Sequence, residues 1–464
     1  MTTTQPHTAP RSTEDGQRTI DIRSPHDGSS LGAVAVSTPA DVENAIVSAR
    51  VAQPEWARTS PAERGATLRR AAAVVRDNVE QLAELNEAET GKPRDEAREG
   101  VLAGAGTLEQ YAELGPLHRG KTLQGDYGAT DFMISQPRGV VAVITPWNDP
   151  VAVACGLLGA ALVTGNTVVH KPSERCPRTG ELLCGLLADV HPDGVLCRLV
   201  GDGEVGAALT GDPRIALIAH VGSTAAGRDI AIGAAGTGAK VLLENGGNDP
   251  LIVDRDVHPG WAARQAAMGA FANAGQICVS VERVYVHEAV LDPFLRALVD
   301  AAADASVPPL VDHQHREQVH DAVMAAVDAG AYRAIGGTLP SGGGSHYPAT
   351  VLTDCTPSMA VMSEETFGPV APVRAVRSFD HALAEATDSG YGLAATVLTS
   401  SMAHAQQAWR ELPVGSVKIN AVFGGAPGGA AHPRGRSGEG FGYGPELLEE
   451  MTTTKVVHSE PPTL

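Results

Sequence analysis

Val140-Val141-Ala142-Val143-Ile144-Thr145 and Thr167-Val168-Val169-His170 are two unbroken runs of small and β-branched residues, joined by a small-residue segment from 151 to 164. Runs without polar alternation belong to strands buried on both faces, and a helix-length connection between two such strands makes a βαβ unit with a parallel sheet. The pattern recurs at 195–200, 215–220 and 240–243, each followed by a helical or loop segment. That alternation predicts a doubly wound, Rossmann-like α/β domain. After Glu244 a second α/β series begins, with strands expected at Leu251-Ile252-Val253, Arg283-Val284-Tyr285-Val286, Val370-Ala371-Pro372-Val373 and Ser416-Val417-Lys418-Ile419.

Before the first run the signals are helical. Thr38-Pro39-Ala40-Asp41 and Ser60-Pro61-Ala62-Glu63 each join a capping hydroxyl, a proline at the first helical position and an answering carboxylate. Leu68, Ala71, Ala72, Val75, Val79, Leu82 and Leu85 recur at helical spacing, which predicts one amphipathic helix ending before Gly91-Lys92-Pro93. The segment 1–18 is polar, lacks an apolar stretch and reads as a flexible tail rather than a signal peptide. Residues 342–344 and 424–431 are glycine-rich loops.

Length and charge narrow the function. A chain of 464 residues is long enough for several domains. With 35 Lys and Arg against 54 Asp and Glu, the formal net charge of −19 repels nucleic acid and anionic membranes. There is no run of 18 apolar residues, so no membrane span is expected. The six cysteines are scattered without C-x-x-C spacing, which suggests neither a zinc site nor a disulfide framework and fits a reducing cytoplasm. No metal is expected.

One cysteine stands apart. Phe271-Ala272-Asn273-Ala274-Gly275-Gln276-Ile277-Cys278-Val279-Ser280 presents Cys278 among small residues, as a nucleophile would be presented. A free cysteine taken alone is more often a small buried apolar residue. Four other segments change that reading: Pro146-Trp147-Asn148, Lys171-Pro172-Ser173-Glu174, Gly222-Ser223-Thr224 and Glu244-Asn245-Gly246-Gly247. With Ser24-Pro25-His26-Asp27-Gly28, Glu364-Glu365-Thr366-Phe367-Gly368-Pro369-Val370 and Lys455-Val456-Val457, their order and spacing resemble the NAD(P)-dependent aldehyde dehydrogenase superfamily over nearly the whole chain.

The resemblance implies a fold and a set of roles. It implies an NAD-binding domain over 19–120 and 138–246, a catalytic domain over 247–451, and an oligomerisation flap of β-strands over 121–137 and 452–464. Cys278 corresponds to the nucleophile, Asn148 to the amide that holds the oxyanion, and Glu244 to the base that activates water against a thioester. On their own terms Asn148 suits an Asx turn and Glu244 a solvated strand end. Gly222 and Ser223 open a helix whose N–H groups can face a pyrophosphate, although no G-x-G-x-x-G is present. Lys171 and Glu174 match the adenine-ribose positions, and a carboxylate there repels a 2′-phosphate, so NAD is expected over NADP. Glu365 and Phe367 match the residues around the nicotinamide ribose and ring, and Trp147 belongs to the same cofactor set. A homodimer or homotetramer is implied.

The chain also departs from the family. Asn245 and Asn248 interrupt the usual Glu-Leu-Gly-Gly-Lys, His220-Val221 replaces Phe-Thr, and only Pro309-Leu310 remains of a Gly-Pro-Leu loop. In the substrate pocket Asp149 replaces an aromatic, Gly156 and Leu157 stand where a bulky or basic residue and a lysine are usual, and 430–436 carries His432, Arg434 and Arg436. Lost aromatic walls predict a wide pocket, and the basic cluster predicts a polar, anionic aldehyde. The expected reaction is oxidation of an aldehyde to the carboxylic acid through a thiohemiacetal and a thioester. Two alternatives stand beside it: an acylating branch that passes the acyl group to coenzyme A, against which Glu244 argues, and a non-catalytic binding protein on the same fold.

Overall fold

The structure, a computed structural model, describes residues 11–12, 16–425 and 429–462. Both capping boxes form as the sequence predicts: Thr38 and Ser60 accept from the backbone N–H of Asp41 and Glu63, whose carboxylates answer the cap N–H groups. Each such cap stabilises its helix by about 1 kcal/mol. The single helix expected through Leu85 is instead two, Pro61–Asp77 and Val79–Thr90. At the break, the Asn78 side-chain amide donates to the Val74 carbonyl at 2.8 Å. A short amide that competes for helix backbone in this way interrupts the helix despite unbroken apolar spacing. The second helix ends as expected at Gly91, whose φ of 77° is the left-handed cap.

The β-branched runs build a six-stranded sheet in the order Gly438–Glu439, Lys240–Glu244, Ile215–Val221, Val140–Ile144, Thr167–Lys171, Leu196–Arg198. All neighbours are parallel except the first pair. From Val140–Ile144 the chain moves outward to one side through 167 and 196, then returns to build the other side. The strand order therefore reverses next to Val140–Ile144, and the crevice beyond the carboxyl ends of these strands is where such sheets bind ligands. The small-residue helix Pro150–Val163 is buried almost all round. It lies so close to the helix Arg94–Leu114 that a Cβ on Gly104 would stand 3.1 Å from the Cys155 Sγ.

A second sheet of seven strands has the order Tyr332–Ile335, Thr350–Thr353, Val370–Val376, Val281–His287, Asp249–Val253, Ala394–Leu398, Ser416–Ile419. A third pairs Thr130–Pro137 with both Lys121–Leu123 and Thr452–Ser459, leaving the outer edge of Thr452–Ser459 unpaired among the described residues. Residues 463–464 of the expected flap lie outside the described residues.

Two expectations are corrected. Much of the 1–18 tail lies outside the described residues, but Arg11–Ser12 pair with Arg18 and Thr19 in a small N-terminal sheet. The expected catalytic domain also runs too far, because 438–451 returns to the first domain. Gly438–Glu439 joins the edge of the six-stranded sheet, Leu447, Leu448 and Met451 share a buried cluster with Leu158 and Leu162, and Glu450 pairs with Lys240. Burial of those three apolar side chains decides where the segment sits, and its sequence is too short and mixed to announce it.

Candidate active site

The crevice at the reversal of strand order is a cavity of about 820 Å³ lined by both domains. Asn148, Glu244 and Cys278 all face it, as do Trp147, Lys171, Glu174, Gly222, Ser223, Glu365 and Phe367. Ten positions spread over 220 residues of chain are thus brought to one surface. Among the described residues, no other cysteine lines this cavity.

Cys278 is half-buried in a loop of unusual backbone. Asn273 (φ 46°, ψ 36°), Ala274 (φ 57°, ψ 32°) and Gly275 (φ 73°) are left-handed in succession. Left-handed geometry costs about 1–2 kcal/mol for each residue that carries a Cβ. Gln276 pays part of that cost by pinning the loop: its Nε2 donates to the Asn273 carbonyl at 3.0 Å, and its Oε1 accepts from the Val311 N–H at 2.9 Å. Gly275 cannot be another residue here, since a Cβ would stand 2.1 Å from the Gly368 carbonyl oxygen. Strain held in place by its surroundings is a mark of functional loops.

Asn148 follows the strand Val140–Ile144, and its Nδ2 donates to the Gln276 carbonyl at 3.0 Å. One amide N–H is thereby fixed beside the cysteine loop, and the other remains for an oxygen in the cavity. Glu244 ends the strand Lys240–Glu244, between Ile215–Val221 and Gly438–Glu439. A Cβ on Gly442 would stand 2.6 Å from the Glu244 Oε2, so the C-terminal segment is pressed against this carboxyl. Burial pushes the Glu244 carboxyl above its ordinary value, partly offset by the nearby Cys278 thiol.

The thiol itself is pushed well above its ordinary value by burial and by the carboxyls of Glu244, Asp249 and Glu365, opposed by Lys418. No thiolate is held ready in the free protein. Glu244 faces the same cavity as Cys278. Asn245 and Asn248, which break the usual motif, are tied by their amides to the carbonyls of Arg436 and Glu364, both at 3.0 Å. These tethers hold the two glycines after Glu244 in place.

The remainder of the cavity suits a dinucleotide. Ser223 caps the helix Thr224–Thr237, whose first N–H groups face the opening. Beneath them lies His220, 5% exposed, with neither ring nitrogen hydrogen-bonded. Lys171 Nζ donates to the Gly201 and Pro172 carbonyls at 2.8 and 3.0 Å and lies 3.8 Å from Glu174. On the far wall Trp147 packs edge-on against Phe367 at 5.6 Å, and Glu365 accepts from the Gly247 N–H at 3.0 Å.

The model of the aldehyde dehydrogenase family matches residues 12–457. The chain belongs to the aldehyde dehydrogenase family. Lactaldehyde dehydrogenase of Escherichia coli (strain K12) is 33% identical over 457 residues, spanning 96% of this chain and 95% of that protein. A solved structure of a lactaldehyde dehydrogenase superposes with a TM-score of 0.93 at 33% identity, covering 96% of each chain. Betaine aldehyde dehydrogenase from Staphylococcus aureus, solved in complex with NAD+, has a TM-score of 0.93 at 30% identity, covering 98% of this chain and 94% of that one. This aldehyde dehydrogenase is an NAD-linked oxidoreductase acting on aldehydes.

In this aldehyde dehydrogenase the pocket differs from the expectation. Arg436 is not turned toward Cys278. It makes two bonds to the Glu364 carboxylate, at 2.9 and 2.7 Å, and lies over the Tyr391 ring at 4.4 Å. Arg434 is exposed in a short strand that pairs with Gly392, and His432 stacks edge-on against Phe441 and accepts from the Gly440 N–H. None of the three lines the Cys278 cavity. Asp149 is not free either, since Lys92 Nζ lies 3.2 Å from its Oδ1. Gly156 does not open a void: a Cβ there would meet the Tyr443 ring at 2.7 Å. Residues 426–428 of the glycine-rich loop 424–431 lie outside the described residues.

Several supporting residues escaped the sequence reading. Glu282 is buried and accepts from the N–H groups of Thr366 and Phe367 at 2.9 and 3.0 Å, holding the turn that presents Glu365. His315 bonds the Phe367 carbonyl at 2.7 Å and packs beside Trp147. A signal for Glu282 was present, since Glu282-Arg283 is a pair of charges inside an otherwise apolar strand. His315 and Tyr443 had none.

Proposed function

We propose that this aldehyde dehydrogenase is hydrolytic, with Cys278 as nucleophile, Asn148 as oxyanion donor and Glu244 as base. The observation that carries this reading is that Cys278, Glu244 and Asn148 face one cavity, with the Asn148 amide tied to the cysteine loop through the Gln276 carbonyl. As Cys278 Sγ adds to the aldehyde carbonyl, its proton passes toward Glu244 and the new oxyanion is received by the free Asn148 N–H. Donors aimed at developing charge in a partly dry site are the largest catalytic contribution available here. NAD, when bound, supplies the hydride acceptor. Lys171 and Glu174 would hold its adenine ribose, Gly222 and Ser223 its pyrophosphate, and Trp147, Glu365 and Phe367 its nicotinamide half. Glu244, once it has released the thiol proton to solvent, takes a proton from the water that cleaves the thioester.

Glu174 favours NAD over NADP by repelling a 2′-phosphate. The substrate we infer is a short uncharged aldehyde, because Arg436 is engaged by Glu364, none of His432, Arg434 and Arg436 lines the cavity, and Glu244 would repel an anion. Lactaldehyde, named for the relative from Escherichia coli, is of this kind. One assay tests the whole reading: NADH formation from short aldehydes and their ω-carboxylated analogues, with NAD or NADP, and with or without coenzyme A. The expected result is free acid, made faster with NAD and with the uncharged aldehydes, at a rate indifferent to coenzyme A. A rate that depends on coenzyme A, with a thioester product, would establish the acylating branch instead.

We also propose that the unpaired edge of Thr452–Ser459 is covered by a second copy, giving a homodimer or homotetramer. Val456, 63% exposed on that strand, supports this. Sedimentation should show multiples of 47.9 kDa, and a purely monomeric species would overturn the idea. No helix among the described residues is long and apolar enough to cross a membrane. The six unpaired cysteines favour a cytoplasmic site, which cell fractionation would test.

A further inference from the structure

The turn at 364–368 touches the segments that carry both Glu244 and Cys278. On one side Glu365 lies on the glycines that follow Glu244: its Oε1 accepts from the Gly247 N–H at 3.0 Å, and a Cβ on Gly246 would run into its Oε2. On the other side the Gly368 carbonyl oxygen abuts Gly275, three residues before Cys278, where an added Cβ would run into it. Between these contacts Phe367 lines the cavity edge-on to Trp147, with a φ of 51°. A residue with a Cβ stays in this left-handed conformation only where its surroundings hold it there. Two buried side chains do so, from two different elements. Glu282, 4% exposed in the strand Val281–His287, accepts with one carboxylate oxygen from the Thr366 N–H at 2.9 Å and with the other from the Phe367 N–H at 3.0 Å. His315, on the helix His313–Asp328, donates from Nε2 to the Phe367 carbonyl at 2.7 Å. That nitrogen must carry the hydrogen, because a carbonyl oxygen only accepts.

We infer that Glu282 and His315 are positioning residues for hydride transfer: gripping Phe367 by its N–H and its carbonyl, they hold the cavity wall assigned to the nicotinamide half in register with the Cys278 loop. This rests on the assignment of Phe367 to that half and of Cys278 as nucleophile. A carboxylate suits the first contact, because it offers two acceptor oxygens to two successive N–H groups, whereas a side-chain amide has one oxygen and turns a donor toward the other N–H. The residues assigned to the adenine half and the pyrophosphate do not depend on this grip. Lys171 Nζ is held by the Pro172 and Gly201 carbonyls, and Ser223 caps its own helix. Loosening Phe367 therefore acts on one half of the cofactor and leaves the other as it was.

The test uses the native enzyme, Glu282→Gln, His315→Ala, His315→Gln and Phe367→Ala. In each, the affinity for ADP, which lacks the nicotinamide half, is measured by titration calorimetry, and the rate of the NADH burst is measured with propanal and with propanal deuterated at C1. Glu282→Gln and His315→Ala should each slow the burst about 10- to 100-fold, the scale on which a small displacement at the reacting centre acts. The isotope effect on the burst should be larger in both than in the native enzyme, and ADP affinity should be unchanged. His315→Gln, which keeps an N–H donor at that place, should recover most of the lost rate. A native burst rate in both Glu282→Gln and His315→Ala would overturn the inference. So would an ADP affinity that falls along with the burst, because the two residues would then be supporting the fold as a whole. A native burst in Phe367→Ala would instead refute the assignment of Phe367 to the nicotinamide half, and absence of a burst from the native enzyme would refute the role given to Cys278.

Discussion

Replacing Cys278 by Ala is expected to lower aldehyde turnover on the order of a millionfold, the scale on which deletion of a covalent nucleophile acts, with NAD binding intact. No second thiol can substitute. Cys155, Cys176, Cys184 and Cys355 are buried, and among the described residues only Cys278 lines the cavity. The substitution removes one sulfur atom and leaves the left-handed loop in place, because Gln276, which pins that loop, acts through its own side chain. Quenching of Trp147 fluorescence on titration with NAD would report the cofactor site independently of turnover. Appreciable residual dehydrogenase activity in Cys278→Ala would sink the covalent mechanism. Loss of NAD binding together with activity would show that the loop had collapsed.

Glu244→Gln is expected to separate the two halves of the reaction. Steady turnover should fall about 10^2- to 10^4-fold, the usual contribution of a general base, while a burst of about one NADH per site still accumulates as the thioester forms. The burst should itself be slower than in the native enzyme, because burial pushes the Cys278 thiol up and Glu244 is a carboxyl on the same cavity able to take its proton. The pH dependence follows from the same environment. Burial raises the Glu244 carboxyl, and a base works only when ionised, so native turnover should fall with falling pH at values above the ordinary glutamate range. That limb should vanish in Glu244→Gln. A normal steady rate without a burst would assign the base elsewhere.

The parts of this protein that were legible in sequence are those where one physical preference acts locally. The runs at 140–145 and 167–170 were readable as buried parallel strands because nothing polar interrupts them, and both capping boxes formed because each is complete within four residues. The Cys278 loop could be recognised from Gly275-Gln276-Ile277-Cys278, since the glycine and the glutamine are demanded by contacts that only those residues make. Asn78 misled for the opposite reason. Apolar spacing continued through it, and the competing amide that broke the helix leaves no mark on periodicity.

The pocket was misread because its residues were judged as isolated letters. Arg436 counted as a free cation until its Glu364 partner, 72 positions away, was seen, and Asp149 counted as a free anion until Lys92 was. Gly156 implied space, and the ring that takes up that space enters from the other end of the chain. By itself, then, the sequence determined the α/β alternation, the identity of Cys278, Glu244 and Asn148 as candidates, and the order of the family's motifs, because these depend on local pattern. Only the tertiary structure decided which charges are neutralised, what fills the glycine gap, and that 438–451 closes against Glu244. Those are outcomes of long-range packing, where burial and ion pairing join residues that have no relation along the chain.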